Sequence, residues 1–97
     1  MIEQILAAAP ATASAWFYRT SAGAEIDLLL DLGPKNVWAV EVKRSVSHPA
    51  PSKGFHIACD DVKATRRLVV YPGVDRYALD RATEVVPLRV LIDSEFG

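Results

Sequence analysis

The sequence has a single cysteine, Cys59, so it can form neither an internal disulfide nor a cysteine-rich zinc site. A reducing, cytoplasmic setting is the expectation that follows. No apolar run approaches the ~18–20 residues needed to cross a bilayer, which excludes a helical membrane span. Nothing basic precedes the short apolar stretch after Met1, so a signal peptide is not expected. Net charge is also scarce. Eleven lysines and arginines against 12 aspartates and glutamates leave −1, which excludes a globally basic nucleic-acid coat but not a local basic patch. Internal repeats, low-complexity tracts and dividing linkers are absent. What is left is 97 residues, 51% hydrophobic and 24% charged, the composition of one ordinary globular domain.

Ile2, Ile5 and Leu6 share one face of a helix predicted over residues 2–9, which Pro10 stops. The chain starts inside this pattern with no capping residue before it, so either the helix frays or residues upstream are missing. An aromatic stretch, residues 15–20, reads as a strand and ends at the turn signal Ser21-Ala22-Gly23. Two β-rich runs, 24–31 and 37–44, flank a connection of hairpin length that contains Gly33 and Pro34. Residues 45–51, with Pro49 and Pro51, suit an extended crossover into a helix capped by Ser52, on which Phe55, Ala58, Cys59 and Val62 form one stripe. A strand over 65–71 stops at Pro72-Gly73, residues 76–79 and 84–86 read as short edge pieces, and Pro87 opens a last helical turn with Leu88, Leu91 and Ile92. Three antiparallel strands, a crossover helix and a further strand make an α/β or α+β arrangement, with the third and fourth strands parallel if they are neighbours.

The charges of the hairpin need an explanation. Strict alternation puts Ala24, Ile26, Leu28 and Leu30 on one face of the first run, and Glu25, Asp27, Leu29 and Asp31 on the other. On the second run Trp38, Val40 and Val42 oppose Val37, Ala39, Glu41 and Lys43. If the apolar sets share a face and the turn centres on Pro34, Asp27 lies opposite Glu41, and Glu25 lies opposite Lys43. Glu25 with Lys43 is a favourable pair, whereas Asp27 with Glu41 sets two carboxylates together, a cost that a divalent cation removes. Mg²⁺ takes hard oxygen ligands and keeps several waters, so one or two carboxylates suffice. A solvated face laced with salt bridges, or a register shifted by two, accounts for the same residues, and spacing alone does not choose between these readings.

Asp27 followed by Glu41-Val42-Lys43 on the next strand resembles the Asp…Glu-x-Lys signature of the PD-(D/E)xK nuclease superfamily. Tyr18-Arg19-Thr20, Gly23-Ala24-Glu25-Ile26-Asp27, Trp38-Ala39-Val40-Glu41-Val42-Lys43 and Lys53-Gly54-Phe55 resemble, in that order, the C-terminal domain of unknown function of bacterial and archaeal AAA+-type ATPases. The resemblance implies an α/β fold, a restriction-endonuclease-like three-layer core with a central mixed β-sheet flanked by helices, spanning residues 1–97 as one domain. It further implies Asp27 and Glu41 as ligands of Mg²⁺, Lys43 as the residue that orients or activates a water, and hydrolysis of DNA phosphodiesters. Glu25 and Glu3 are then outer acids beside the metal. Three departures accompany it: Ile26 stands where the superfamily has a proline, Glu3 is the one glutamate on the first helix, and no P-loop occurs in the chain. An upstream ATPase domain and part of the first helix are therefore expected to be missing. The rival expectation is a catalytically inactive module that binds DNA or protein, or a relic fragment.

Arg19, Arg44, Lys53, Arg66 and Arg67 are candidates for a phosphate-facing rim, with ordinary surface charge as the alternative. Lys53 is the best placed, at a helix start. His48 and His56 have no second ligand at useful spacing, and Cys59 reads as a small buried hydrophobe. Trp16, Phe17, Trp38 and Phe55 are expected in the core or an interface, with base stacking as the other option. An aromatic first strand at a sheet edge would let two copies pair as a homodimer.

Overall fold

The computed structural model describes residues 2–44 and 51–95. Helix α1 (Ile2–Ala8) ends ahead of Pro10 and is followed by strands β1 (Ser14–Arg19), β2 (Glu25–Asp31) and β3 (Val37–Val42). Helix α2 (Lys53–Val62) leads to β4 (Arg66–Tyr71), a two-residue strand β5 (Tyr77–Ala78) and β6 (Thr83–Pro87). A short turn, α3 (Leu88–Val90), then runs into a wider π-helical turn, Leu91–Glu95. Residues 45–50 of the expected crossover, His48 among them, lie outside the described residues.

Local chemistry explains the boundaries. The Ser52 hydroxyl accepts the Phe55 N–H at 3.1 Å and caps α2, and the helix ends where Lys63 turns left-handed, at φ 56°. Pro72 follows the last residue of β4, and Pro87, φ −59°, sets the chain up for α3. The strands form one mixed sheet in the order β1-β2-β3-β4-β6-β5. β1, β2 and β3 pair antiparallel, while β4 lies parallel to both β3 and β6. One boundary expectation fails. Residues 84–86 do not form an edge: β5 folds back outside β6, and Val85 and Val86 are fully buried.

Helices cover both faces of the sheet. Phe55, Ala58 and Cys59 of α2 pack on Ala24, Ile26 and Ala39. On the opposite side Ile5 of α1 and Leu91 close over Leu28, Leu30, Trp38, Val40, Leu68, Val70 and Val86. Burial pushes the Cys59 thiol up to about 11, so it stays protonated and packs as a small apolar group. Among the described residues no helix is long and apolar enough to cross a membrane.

The strict alternation expected along β2 is broken. Trp16 pairs with Leu29 and Tyr18 with Ile26, so Asp27 and Leu28 together face the single residue Phe17. This bulge moves the apolar set from one face to the other: Ala24 and Ile26 point to α2, and Leu28 and Leu30 point to α1. The two-residue period looks unbroken in sequence because both faces of the sheet are covered and both accept apolar side chains.

Charge also stabilises the far side of the sheet. Arg66 bonds Glu84 and stacks over Trp38 at 4.5 Å, and Arg76 Nε reaches Glu84 Oε2 at 3.1 Å. Partial burial opposes ionisation of Glu84, but the bonds from Arg76 and Arg66 outweigh it and hold the carboxyl below the usual glutamate value of 4.5. A group depressed in this way stabilises the folded state above its ordinary pKa, and the benefit fades as pH falls through the folded value. Acidification below pH ~4.5 should therefore lower the denaturant midpoint more steeply in the parent than in Glu84→Gln. Equal pH slopes for the two proteins would contradict this.

Candidate functional site

The site forms where β2 and β3 part. Their ladder runs from Asp31 opposite Val37 to Leu28 opposite Val40, in the register expected from the hairpin, and stops one position short of Asp27 and Glu41. β3 continues on β4, as the Lys43 N–H donates to the Val70 carbonyl. The Val42 N–H, facing the other way, would lack a strand partner, and Asp27 Oδ2 accepts it at 2.9 Å. Asp27 is thus turned into the gap between the strands by the bulge and fixed to the peptide that joins Glu41 to Val42. Its other oxygen, Oδ1, makes no hydrogen bond among the described residues.

Glu41 leaves β3 on the α2 side, as Ala39 does. Its Oε2 accepts the Ser52 N–H at 3.0 Å, at the start of α2, and its Oε1 lies 3.5 Å from Lys43 Nζ. Both side chains are mostly buried, with 12% of Glu41 and 33% of Lys43 exposed, so neither swings freely in water. Sequence reasoning found Ser52 as a helix cap but not as a holder of Glu41. Nothing in the spacing brings residue 52 back to residue 41, because only packing of α2 on the sheet does that.

One outer acid has a different partner from the one expected. Glu25 does not meet Lys43: it lies opposite Arg19 on β1 and bonds its guanidinium at 3.0 Å. The bulge and the early end of the β2–β3 ladder remove Glu25 from Lys43, which takes Glu41 instead. Glu3 of α1 and Arg44 do come to Asp27. Together with Ile2 and Val42 these residues line a cavity of about 550 Å³. A second cavity of about 450 Å³ shares Asp27 and Ile2 with the first and extends under β1 along Phe17, Tyr18, Arg19, Glu25 and Ile26.

Lys53 is exposed in the first turn of α2, next to Ser52. Arg66 and Arg67 lie away from the site. They pair with Trp38 and Ala39 at the start of β3, whereas Glu41 and Lys43 are at its end, and Arg67 is bound to Asp60 at 2.6 Å. His56 lies edge-on to Phe55 with ring centroids 6.2 Å apart. Among the described residues no group of three or more His, Cys, Asp or Glu side chains is placed to hold a metal ion. Trp38 and Phe55 are core residues as expected, but Trp16 and Phe17 are 50% and 75% exposed on the edge strand.

These features define a mixed α/β domain in which, at the diverging ends of the central strands, Asp27 is bonded to the Val42 amide in a cavity beside α1, and Glu41 on the α2 side lies 3.5 Å from the Lys43 ammonium. A family model, "Domain of unknown function (DUF4143)", matches residues 1–91, and the chain belongs to that family. Two curated relatives, the uncharacterized proteins Mb2031c of Mycobacterium bovis and Rv2008c of Mycobacterium tuberculosis, are each 34% identical over 87 residues. Each match covers 90% of this chain but 19% of the relative, so the chain spans about a fifth of their length. Among solved structures, a chain of the Thermococcus gammatolerans tetradecameric assembly of McrB AAA+ hexamers with bound McrC aligns with a TM-score of 0.57 at 14% identity. That match covers 89% of this chain and 25% of the other, and it is a likeness of fold.

Proposed function

We propose that this domain is a PD-(D/E)xK-type, restriction-endonuclease-like module that hydrolyses DNA phosphodiesters with Mg²⁺ and works beside an ATPase. The reading rests on one observation: Asp27 is bonded to the amide adjoining Glu41, and Glu41 in turn lies 3.5 Å from the Lys43 ammonium. The donor set suits a hard cation. Both candidate ligands are carboxylates, and each is fixed by a single backbone N–H, Val42 for Asp27 and Ser52 for Glu41. Each carboxylate oxygen has more than one lone pair, so Asp27, and Glu41 beside its Lys43 contact, can accept a further partner, and Mg²⁺ needs few protein ligands because it retains its waters.

Mg²⁺ held by Asp27 and Glu41 would supply Lewis acidity at a phosphoryl oxygen and a more acidic water. The protein's own part is positioning and charge. Lys43 orients the attacking water and offsets negative charge near Glu41, and the two amides keep the carboxylates from turning away. Arg44, on the rim beside Asp27, faces incoming phosphate. Association with an ATPase is supported by the AAA+ hexamers in the assembly one chain of which shares this fold.

Calorimetric titration with Mg²⁺ tests the site. Binding is expected in the parent chain and should be lost in Asp27→Asn and in Glu41→Gln. Identical heats for all three proteins would leave the carboxylates as structural groups, and the domain would then be a binding module without chemistry.

A further inference from the structure

The two cavities that meet at Asp27 differ in character. The first has Glu3 and Arg44 on its walls and opens over the Val42 peptide. The second has an apolar side with two aromatic rings, Phe17 and Tyr18 from β1 beside Ile26 from β2, and the Arg19–Glu25 pair at its border. Phe17 is 75% exposed, and its position is imposed by the same bulge that turns Asp27 inward, since Asp27 and Leu28 share Phe17 as their opposite residue. An exposed aromatic ring beside a candidate Mg²⁺ ligand is unusual for a solvated edge strand, where natural proteins favour charge or proline.

Resting on the nuclease reading above, we infer that this site takes single-stranded or locally unpaired DNA, one base of which leaves the stack and lies against Phe17 in the cavity beside Asp27. A phosphate at Asp27 and the base of an adjoining nucleotide are one sugar apart, and the second cavity starts at Asp27 itself. Its volume is within the range of small-molecule sites. Any base can stack there because every base has a π-face, so the contact selects strand state and not sequence. A paired base inside a duplex keeps both faces occupied and cannot use it. The cavity carries Glu25 and Asp27 against one arginine, so nucleic acid is repelled until a divalent cation neutralises Asp27, and binding depends on the metal.

The test uses the Lys43→Ala background, which is expected to bind Mg²⁺ without cleaving. Fluorescence anisotropy of labelled single-stranded and duplex oligonucleotides of one sequence is read with and without Mg²⁺. Single strands should bind more tightly than duplex, and only with Mg²⁺ present. Adding Phe17→Ala should weaken single-strand binding about tenfold while leaving duplex binding within about twofold. Trp16→Ala, which removes an exposed aromatic outside the cavity, should change neither. Phe17 is exposed, so its removal leaves the fold intact. Normal Mg²⁺ binding with no strand preference, or with no effect of Phe17→Ala, overturns this inference and leaves the nuclease reading standing. Absence of Mg²⁺ binding by calorimetry overturns both.

Discussion

Replacing Gly54 by alanine is expected to cost the domain about 3 kcal/mol or more, the upper end of what overpacking costs. A Cβ at this position would lie 2.3 Å from the Gly23 carbonyl oxygen, in the turn before β2. Main-chain oxygen has no rotamer to escape into. The turn cannot yield either, since the Gly23 N–H bonds the Thr20 carbonyl at 3.1 Å and the Ala24 N–H bonds the Thr20 hydroxyl at 3.1 Å. Gly23 itself holds φ +94°, a conformation few other residues adopt. So α2 must move, and it moves from its first turn, where Ser52 holds Glu41. Thermal melts should show a fall of ~12 °C or more for a domain of this size, together with weaker Mg²⁺ binding by the fraction that stays folded. Gly33 is the contrast: alanine there meets no atom within 4 Å, so it suffers only the strain of φ +138° and should destabilise less. Equal losses at the two positions would show that contact with Gly23 is not what matters.

The same contact explains why separated stretches of the sequence are legible as one pattern. Gly23-Ala24 and Gly54 touch, Asp27 and Val42 are bonded, and Glu41 is bonded to Ser52. Elements governed by short-range chemistry could be read directly. Ser52 caps α2, Pro72 follows β4, and the turn at Gly33 fixes the register of Leu28 on Val40. Three features could not. The bulge at Asp27–Leu28 depends on how β1 pairs with β2, and both of its outcomes place apolar residues in a core. The interior position of β6 depends on where Tyr77–Ala78 pairs: residues 76–79 read as a short edge piece, but so short a strand carries no pattern that says it folds back outside β6. The partner of Glu25 depends on which neighbour reaches it first, and Arg19, directly opposite, does. In each case the deciding contact lies between segments whose sequences are individually ambiguous.

Lys43→Ala separates a working site from an inherited framework more sharply than the loss of either carboxylate. If Lys43 were only an ion-pair partner of Glu41, its removal would cost about 0–1 kcal/mol of stability and nothing else, because a third of the side chain is in water. If it orients a water for attack on phosphorus, cleavage of a DNA substrate should fall by ~10²–10⁴, the usual effect of removing a positioned acid–base group. Mg²⁺ affinity should meanwhile hold or rise, because an ammonium 3.5 Å from Glu41 Oε1 competes with any second cation for that oxygen. Lys43→Arg sharpens the distinction. It restores positive charge beside Glu41, yet guanidinium stays protonated at every accessible pH and is planar where the ammonium is compact, so cleavage should remain low. A large rate loss with unchanged melting temperature and unweakened Mg²⁺ binding therefore assigns Lys43 a role in chemistry. Full cleavage by Lys43→Ala excludes that role, and a parent chain that binds Mg²⁺ and single strands but yields no products makes this domain a metal-dependent binding module in which the acids and the lysine retain their geometry without the reaction.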